Sequence, residues 1–204
     1  MASSPTARNG ASLAPRAPTH AAMTTHHARD AAEAKMSQQD AEPDAPRTTV
    51  FRILFVCTGN TCRSPLAEGL ARAEIERRGW KHVEVASAGL SAGQGDRATR
   101  AGVVVAGRAG IDLKKHRSRP LTPALAASAD LILAMGPGHV AELRRLGVGE
   151  RAATLGDFAA GAEGAGPAVQ DPFGGSEAVY EETFQELRGL VSAALDRLEP
   201  VLAP

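Results

Sequence analysis

The sequence shows no excess of charge, almost no cysteine and no long apolar run, and each lack excludes a class of protein. Its 23 Lys plus Arg balance 23 Asp plus Glu, so there is no general electrostatic pull toward nucleic acid or an anionic membrane surface. A basic binding module is set aside on that ground. The apolar stretches are a few residues long, far below the ~20 needed to cross a bilayer, and the chain reads as soluble. Two cysteines, Cys57 and Cys62, are too few for a secreted-type disulfide framework, and no apolar segment follows a basic start as in a signal peptide. A cytoplasmic location is expected.

Aromatic residues are also few, five Phe, one Trp and one Tyr, and none lies in residues 1–47. Ala, Ser, Thr, Pro, His and balanced charges fill that stretch, which cannot bury enough apolar surface to offset its ordering entropy. Residues 1–47 are therefore expected to be a disordered tail, and 48–204 one domain. Met1 to Arg29 holds Ser, Ala and Arg without an acidic residue, as transit peptides do. Asp30 and Glu33 follow directly, however, and Met23 and Met36 offer later starts. His26 and His27 read as solvated residues of the tail, and no metal or cofactor is expected.

From residue 48 onward the pattern alternates. Val50–Val56 is β-branched and aromatic, as in a buried strand. Ser64-Pro65 reads as a cap and first turn, with Leu66, Leu70 and Ala73 continuing at helical spacing to a stop at Gly79. Val83–Ala86 predicts a second strand, 97–108 a helix, Leu131–Ala134 a third strand, His139–Leu146 a helix and Arg151–Leu155 a fourth strand. Ser176 starts a long helix with Tyr180, Phe184, Leu187, Val191, Leu195 and Leu198 on one face. Strands alternating with helices predict an α/β fold, an open, mostly parallel four-stranded sheet covered on both faces. Sites in such sheets lie beyond the carboxyl ends of the strands.

That rule points to Cys57-Thr58-Gly59-Asn60-Thr61-Cys62-Arg63-Ser64-Pro65, which leaves the first strand and enters the first helix. A loop closing on a helix N-terminus turns unpaired N–H groups and the positive dipole end inward, making an anion site. Gly59 permits a concave backbone, Asn60 is the non-glycine type that best tolerates a left-handed conformation, and Arg63 supplies a planar fork for two phosphate oxygens. No Gly-Lys-Ser/Thr ending is present, so this is not a Walker-type nucleotide loop. A cysteine stands in the first position instead. The surroundings that hold a phosphate dianion also favour a thiolate, which makes Cys57 a nucleophile placed under a phosphorus atom.

This segment resembles the signature of the low-molecular-weight protein phosphatases, and the likeness extends over about residues 50–200. The resemblance implies an acid near the far end, matched by Asp171 in Asp171-Pro172-Phe173-Gly174-Gly175. It further implies that Cys57 attacks phosphorus in line, that Arg63 and the amides of the loop (Thr58, Gly59, Asn60, Thr61, Cys62, Ser64) bind phosphate, and that Asp171 protonates the leaving group. Ser64 resembles the hydroxyl that stabilises the thiolate, although a helix cap would also explain a serine there. Ser87 and His116 resemble the pair that holds Asn60. The implied partners are phosphorylated protein substrates, and a monomer is expected.

Thr61 and Phe173 carry the specificity reading. In tyrosine-directed animal members the position of Thr61 is a bulky aliphatic residue, and two aromatic residues follow the acid. Thr61 with Asp171-Pro172-Phe173-Gly174-Gly175 is instead similar to the bacterial protein arginine phosphatases, which favours phosphoarginine over phosphotyrosine. Thioredoxin-coupled arsenate reductases share the implied fold and loop but use further cysteines, and Cys57 and Cys62 are the only two here.

Overall fold

The computed structural model describes residues 50–203; the expected tail, with the transit-peptide and later-start readings and His26 and His27, lies outside them. Four strands, β1 (Phe51–Cys57), β2 (Val83–Gly89), β3 (Leu131–Ala134) and β4 (Ala152–Thr154), form one sheet in the order β2-β1-β3-β4. All three strand pairings are parallel. Six helices accompany them: α1 (Arg63–Arg78), α2 (Arg100–Arg108), α3 (Pro123–Ser128), α4 (Pro137–Arg145), α5 (Leu155–Ala160) and α6 (Glu177–Leu202).

The period-2 geometry of β1 explains why its sequence is apolar nearly throughout. Ile53, Phe55 and Cys57 face one core, shared with α1, α2 and α6, while Leu54 and Val56 face a second core closed by α3 and α4. Each of these side chains is at most 3% exposed, and burial of one such side chain stabilises the fold by about 1.5–3 kcal/mol. The chain leaves β1 toward β2 on one side and later returns to β3 on the other. The loop after β1 therefore opens at the switch point of the sheet, where ligand crevices form.

Helix α6 is the long amphipathic element expected from Ser176. Its inner face, Tyr180, Phe184, Leu187, Val191 and Leu195, is buried, with Leu198 packed at the edge of the same core. Near its far end Asp196 and Glu199 pair with Arg78 at the end of α1, whose guanidinium stacks 5.1 Å over Trp80. The helix is thereby fixed at both ends, against the loop after β1 and against the end of α1.

Several boundaries differ from the sequence pattern for local reasons. Ser64 does not cap α1; the helix begins at Arg63 after Cys62, and the Ser64 hydroxyl points back into the loop. Helix α2 starts at Arg100 rather than 97, because extended Thr99 gives its N–H to the Thr61 carbonyl at 3.0 Å. Strand β2 continues to Gly89, paired along β1 to Cys57. Strand β4 stops at Thr154, whose hydroxyl caps α5 by accepting from Asp157 N at 3.0 Å. Helices α3 and α5, of six residues each, are too short to show a period in sequence.

Candidate active site

Residues 57–64 wrap from the end of β1 into the first turn of α1. Asn60 is fully buried with φ 53°, a left-handed conformation that only its own hydrogen bonds can make worthwhile for a non-glycine residue. Its Nδ2 donates to Ser64 Oγ at 2.9 Å and to Ser87 Oγ at 2.8 Å. Its Oδ1 accepts from Arg119 N at 3.0 Å, and its carbonyl lies 2.8 Å from His116 Nε2. Ser87 in turn donates to Glu68 Oε2 at 2.7 Å, and Arg119 Nε donates to the Ser87 carbonyl at 2.8 Å. Glu68 and Arg119 were not legible as site residues; they are one helical turn and several loops away from any motif.

The loop is completed by a glycine on the neighbouring strand. A Cβ on Gly89 would sit 2.5 Å from the Thr58 carbonyl and 2.9 Å from Asn60 N, so any side chain there would push the loop out of place. Leu90 N and Ser91 N donate to the carbonyls of Cys57 and Thr58 at 3.0 and 2.9 Å, extending the pairing of β2 beyond the sheet.

Within this frame Cys57 Sγ is 3.0 Å from Ser64 Oγ and receives Asn60 N–H at 3.3 Å. The Ser64 hydroxyl also lies 3.4 Å from the Ala88 carbonyl, to which it can donate. Arg63, 8% exposed, gives one arm to the Val169 carbonyl at 3.3 Å and the other to Asp171 Oδ2 at 2.5 Å. The other carboxylate oxygen of Asp171 accepts from Phe173 N at 3.2 Å, which fixes the acid on its turn. These groups line a cavity of about 260 Å³, with Cys57 and Arg63 inside and Thr58, Thr61, Asp171 and Phe173 along its walls. Phe173 is 75% exposed, a single ring standing at the mouth. Two cavities of about 290 Å³ occur elsewhere in the described residues, lined by neither cysteine, so chemistry rather than size marks the site.

Two residues that the sequence offered no reason to single out for chemistry also touch the loop. Tyr180, assigned only to the apolar face of α6, reaches Cys62 Sγ with its hydroxyl at 3.2 Å; burial, and then the contact with Cys62, push its pKa up to about 12. His139 on α4 places Nε2 3.0 Å from Thr58 Oγ1. Burial and then the Arg63 charge lower its pKa, against smaller opposite effects of Asp171 and the Gly136 backbone.

The comparisons with known proteins agree with this geometry. The family model for low molecular weight phosphotyrosine protein phosphatases matches residues 52–200. A protein-arginine-phosphatase of Bacillus subtilis is 40% identical over 151 residues, which is 72% of this chain and 96% of that protein. A low molecular weight protein-tyrosine-phosphatase of Streptomyces coelicolor is 34% identical over 161 residues, 73% of this chain and 96% of that one. Among solved structures, the YwlE arginine phosphatase, in a mutant with a phosphorylated active-site serine, superposes with a TM-score of 0.69 at 39% identity, covering 74% of this chain and 97% of its own. A cysteine-bearing loop at the sheet's switch point, an aspartate brought to it from position 171, and a match over nearly all the described residues lead to one conclusion: the chain belongs to the low molecular weight phosphotyrosine protein phosphatase family.

Proposed function

We propose that this protein is a cysteine-dependent phosphatase that removes the phosphoryl group from phosphoarginine in proteins. The observation that carries the reading is the juxtaposition of Cys57 Sγ, inside the loop of amides, with Arg63 and Asp171, which face each other across 2.5 Å. Phosphate oxygens would take the inward N–H groups and the Arg63 fork, leaving phosphorus above sulfur. The Cys57 thiolate attacks phosphorus as the bond to the arginine nitrogen breaks, and Asp171 gives its proton to that nitrogen. A phosphocysteine and a free guanidinium result. Asp171, now a carboxylate, takes a proton from a water that attacks the phosphocysteine, releasing inorganic phosphate and the Cys57 thiolate. Ser64 stabilises sulfur in both half-reactions, while Ser87 and His116 keep Asn60, and with it the loop, in shape.

The choice of phosphoarginine rests on Thr61, on Phe173 as the one aromatic wall at the mouth, and on the relatives. Two protein-arginine-phosphatases, from Bacillus subtilis and Geobacillus stearothermophilus, are 40% and 37% identical to the chain. Phosphotyrosine is the second reading, favoured by the tyrosine phosphatase of Streptomyces coelicolor among the relatives. A monomer in the cytoplasm fits this activity, and no described helix is long and apolar enough to cross a membrane.

Initial rates on a phosphoarginine peptide and a phosphotyrosine peptide of the same sequence test the substrate. A higher kcat/KM on phosphoarginine supports the reading, and a preference for phosphotyrosine transfers it to the second. The covalent step is tested separately by Cys57→Ser, which is expected to abolish turnover while vanadate still binds. Substantial activity in that variant would rule out a phosphocysteine intermediate.

A further inference from the structure

The charges of the chain sum to zero, but they are not laid out evenly around the cavity. Residues 96–119 hold seven Lys and Arg against two acidic residues, Asp96 and Asp112. Arg108 pairs with Glu177 and Arg119 supports Ser87. The other five, Arg97, Arg100, Lys114, Lys115 and Arg117, are exposed and form no ion pair among the described residues. Exposed arginines elsewhere do find carboxylates, as Arg52 does with Glu84 and Arg144 with Glu163.

The backbone gathers the five beside the cavity. Gly95 N donates to the Ser118 carbonyl and Ser118 N to the Asp96 carbonyl, each at 2.8 Å, so the segments carrying Arg97 and Arg117 run side by side. Thr99, between Arg97 and Arg100, gives its N–H to the carbonyl of Thr61, a residue of the cavity wall. His116, between Lys115 and Arg117, lies against the Asn60 carbonyl. The cations therefore flank the two residues that tie these segments to adjacent positions of the loop.

Their placement does not serve the fold. Arg100 opens α2, where the positive end of the helix dipole opposes a cation and the first turn holds no acid. Lys114, Lys115 and Arg117 crowd like charge into one short turn, where it repels. Asp112 accepts the Lys114 backbone N–H at 2.9 Å, and Arg117 turns one nitrogen to the Lys114 and His116 carbonyls. Such a strip lacks anions of its own and is complementary to anions brought by a partner.

We infer that the strip is a docking surface for acidic residues of the protein substrate, on either side of the residue that enters the cavity. An extended peptide advances about 3.3 Å per residue, so acids two to four positions away stand roughly 7–13 Å from that residue, within the span of long cationic side chains on segments bonded to the cavity wall. A protein is favoured over nucleic acid because the chain as a whole carries no net positive charge. The inference rests on the reading of the protein as a phosphatase of protein substrates, whichever residue bears the phosphoryl group.

The test uses the full chain and four peptides of one sequence, carrying phosphoarginine or phosphotyrosine with either Glu or Gln at the flanking positions. The Glu-flanked peptides are expected to exceed the Gln-flanked ones about tenfold in kcat/KM at low salt, mainly through KM, as several exposed and individually weak ion pairs would give. Rising salt should shrink that ratio by screening. Combining Arg97→Gln, Arg100→Gln, Lys114→Gln and Lys115→Gln should bring it close to one while turnover of p-nitrophenyl phosphate, which has no flanks, stays unchanged. Should the combined variant fail to fold, the Arg97/Arg100 and Lys114/Lys115 pairs replaced separately should each remove part of the ratio. Equal rates on Glu-flanked and Gln-flanked peptides, or a preference that ignores salt or survives in the variants, overturn the inference. If binding of an RNA oligonucleotide is lost in variants whose peptide ratio stands, the strip belongs to nucleic acid. A wild type that prefers phosphotyrosine but keeps the preference for Glu overturns only the choice of phosphoarginine, and turnover of neither phosphoresidue overturns the phosphatase reading and this inference with it.

Discussion

Replacing Asn60 separates two contributions that hold the loop. Asn60→Ala removes the donors to Ser64 and Ser87 and the acceptor for Arg119 N, three hydrogen bonds worth about 1 kcal/mol each net. It also places an alanine at φ 53°, where an ordinary L-residue costs roughly 1–2 kcal/mol. The expected loss is therefore about 4–5 kcal/mol, a large part of the ~5–15 kcal/mol that keeps a domain folded. Asn60→Gly loses the same hydrogen bonds but adopts positive φ freely, so it should lose only about 3 kcal/mol. Urea denaturation of both variants measures the difference, and melting temperatures should drop by roughly 6 °C or more for each. Both should also lose activity on every substrate, since Asn60 N–H reaches Cys57 from the same peptide. Equal stability of the alanine and glycine variants would refute the backbone part of the reasoning. Losses below about 1 kcal/mol in both would refute the network part.

Thr61→Ile keeps β-branching but adds apolar bulk and removes the hydroxyl from the cavity wall; it should lower kcat/KM on phosphoarginine about tenfold, or 1.4 kcal/mol, relative to phosphotyrosine. A loss shared equally by both substrates would indicate general damage and no role in choice. Peroxide should inactivate the enzyme by oxidising the Cys57 thiolate to a sulfenic acid, from which the Cys62 thiol displaces water to form a disulfide. Cys62→Ser should then recover far less activity on adding dithiothreitol, and unchanged recovery would leave Cys62 only its packing against Tyr180. Hydrogen bonding to Arg77, with help from Arg78, holds Glu74 down at about 2 from an ordinary 4.5. Because the folded value is the lower one, this stabilisation is present above about pH 4.5 and is lost as pH falls through about 2. Urea midpoints of Glu74→Gln should accordingly trail the wild type at neutral pH and converge with it in acid; a constant gap would contradict the linkage.

The place and make-up of the loop were legible in sequence because they are local: cysteine, turn residues, arginine and helix start occupy consecutive positions. Its support was not. Glu68 reaches Ser87 from α1, Arg119 reaches Asn60 across 59 positions, and Tyr180 reaches Cys62 across 118, contacts that no spacing rule encodes. The family likeness pointed to Ser87 and His116 but not to these partners. Ser64 shows the opposite difficulty, since a serine before a proline fits a cap so well that its actual partners, Cys57 and Asn60, were the less economical reading of the residues alone. His139 lay in a segment recognised only as a helix, and its contact with the loop residue Thr58 joins positions 81 apart.

The span between Cys62 and Tyr180, and the 108 positions between Arg63 and Asp171, bear on when the enzyme becomes competent during synthesis. Cys57 is among the first residues of the described domain to leave the ribosome, yet Asp171 and the helix that backs the loop are among the last. Domains built on such distant pairings assemble slowly and late. A nascent chain ending before Asp171 would carry the Cys57 thiol without the carboxylate that faces Arg63 and with the flank of Cys62 uncovered. Translation thus delivers a reactive sulfur well ahead of the parts that discipline it, and ribosome-bound chains arrested before and after α6 should differ sharply in alkylation of Cys62. Equal labelling of the two would show that the loop closes without the last helix.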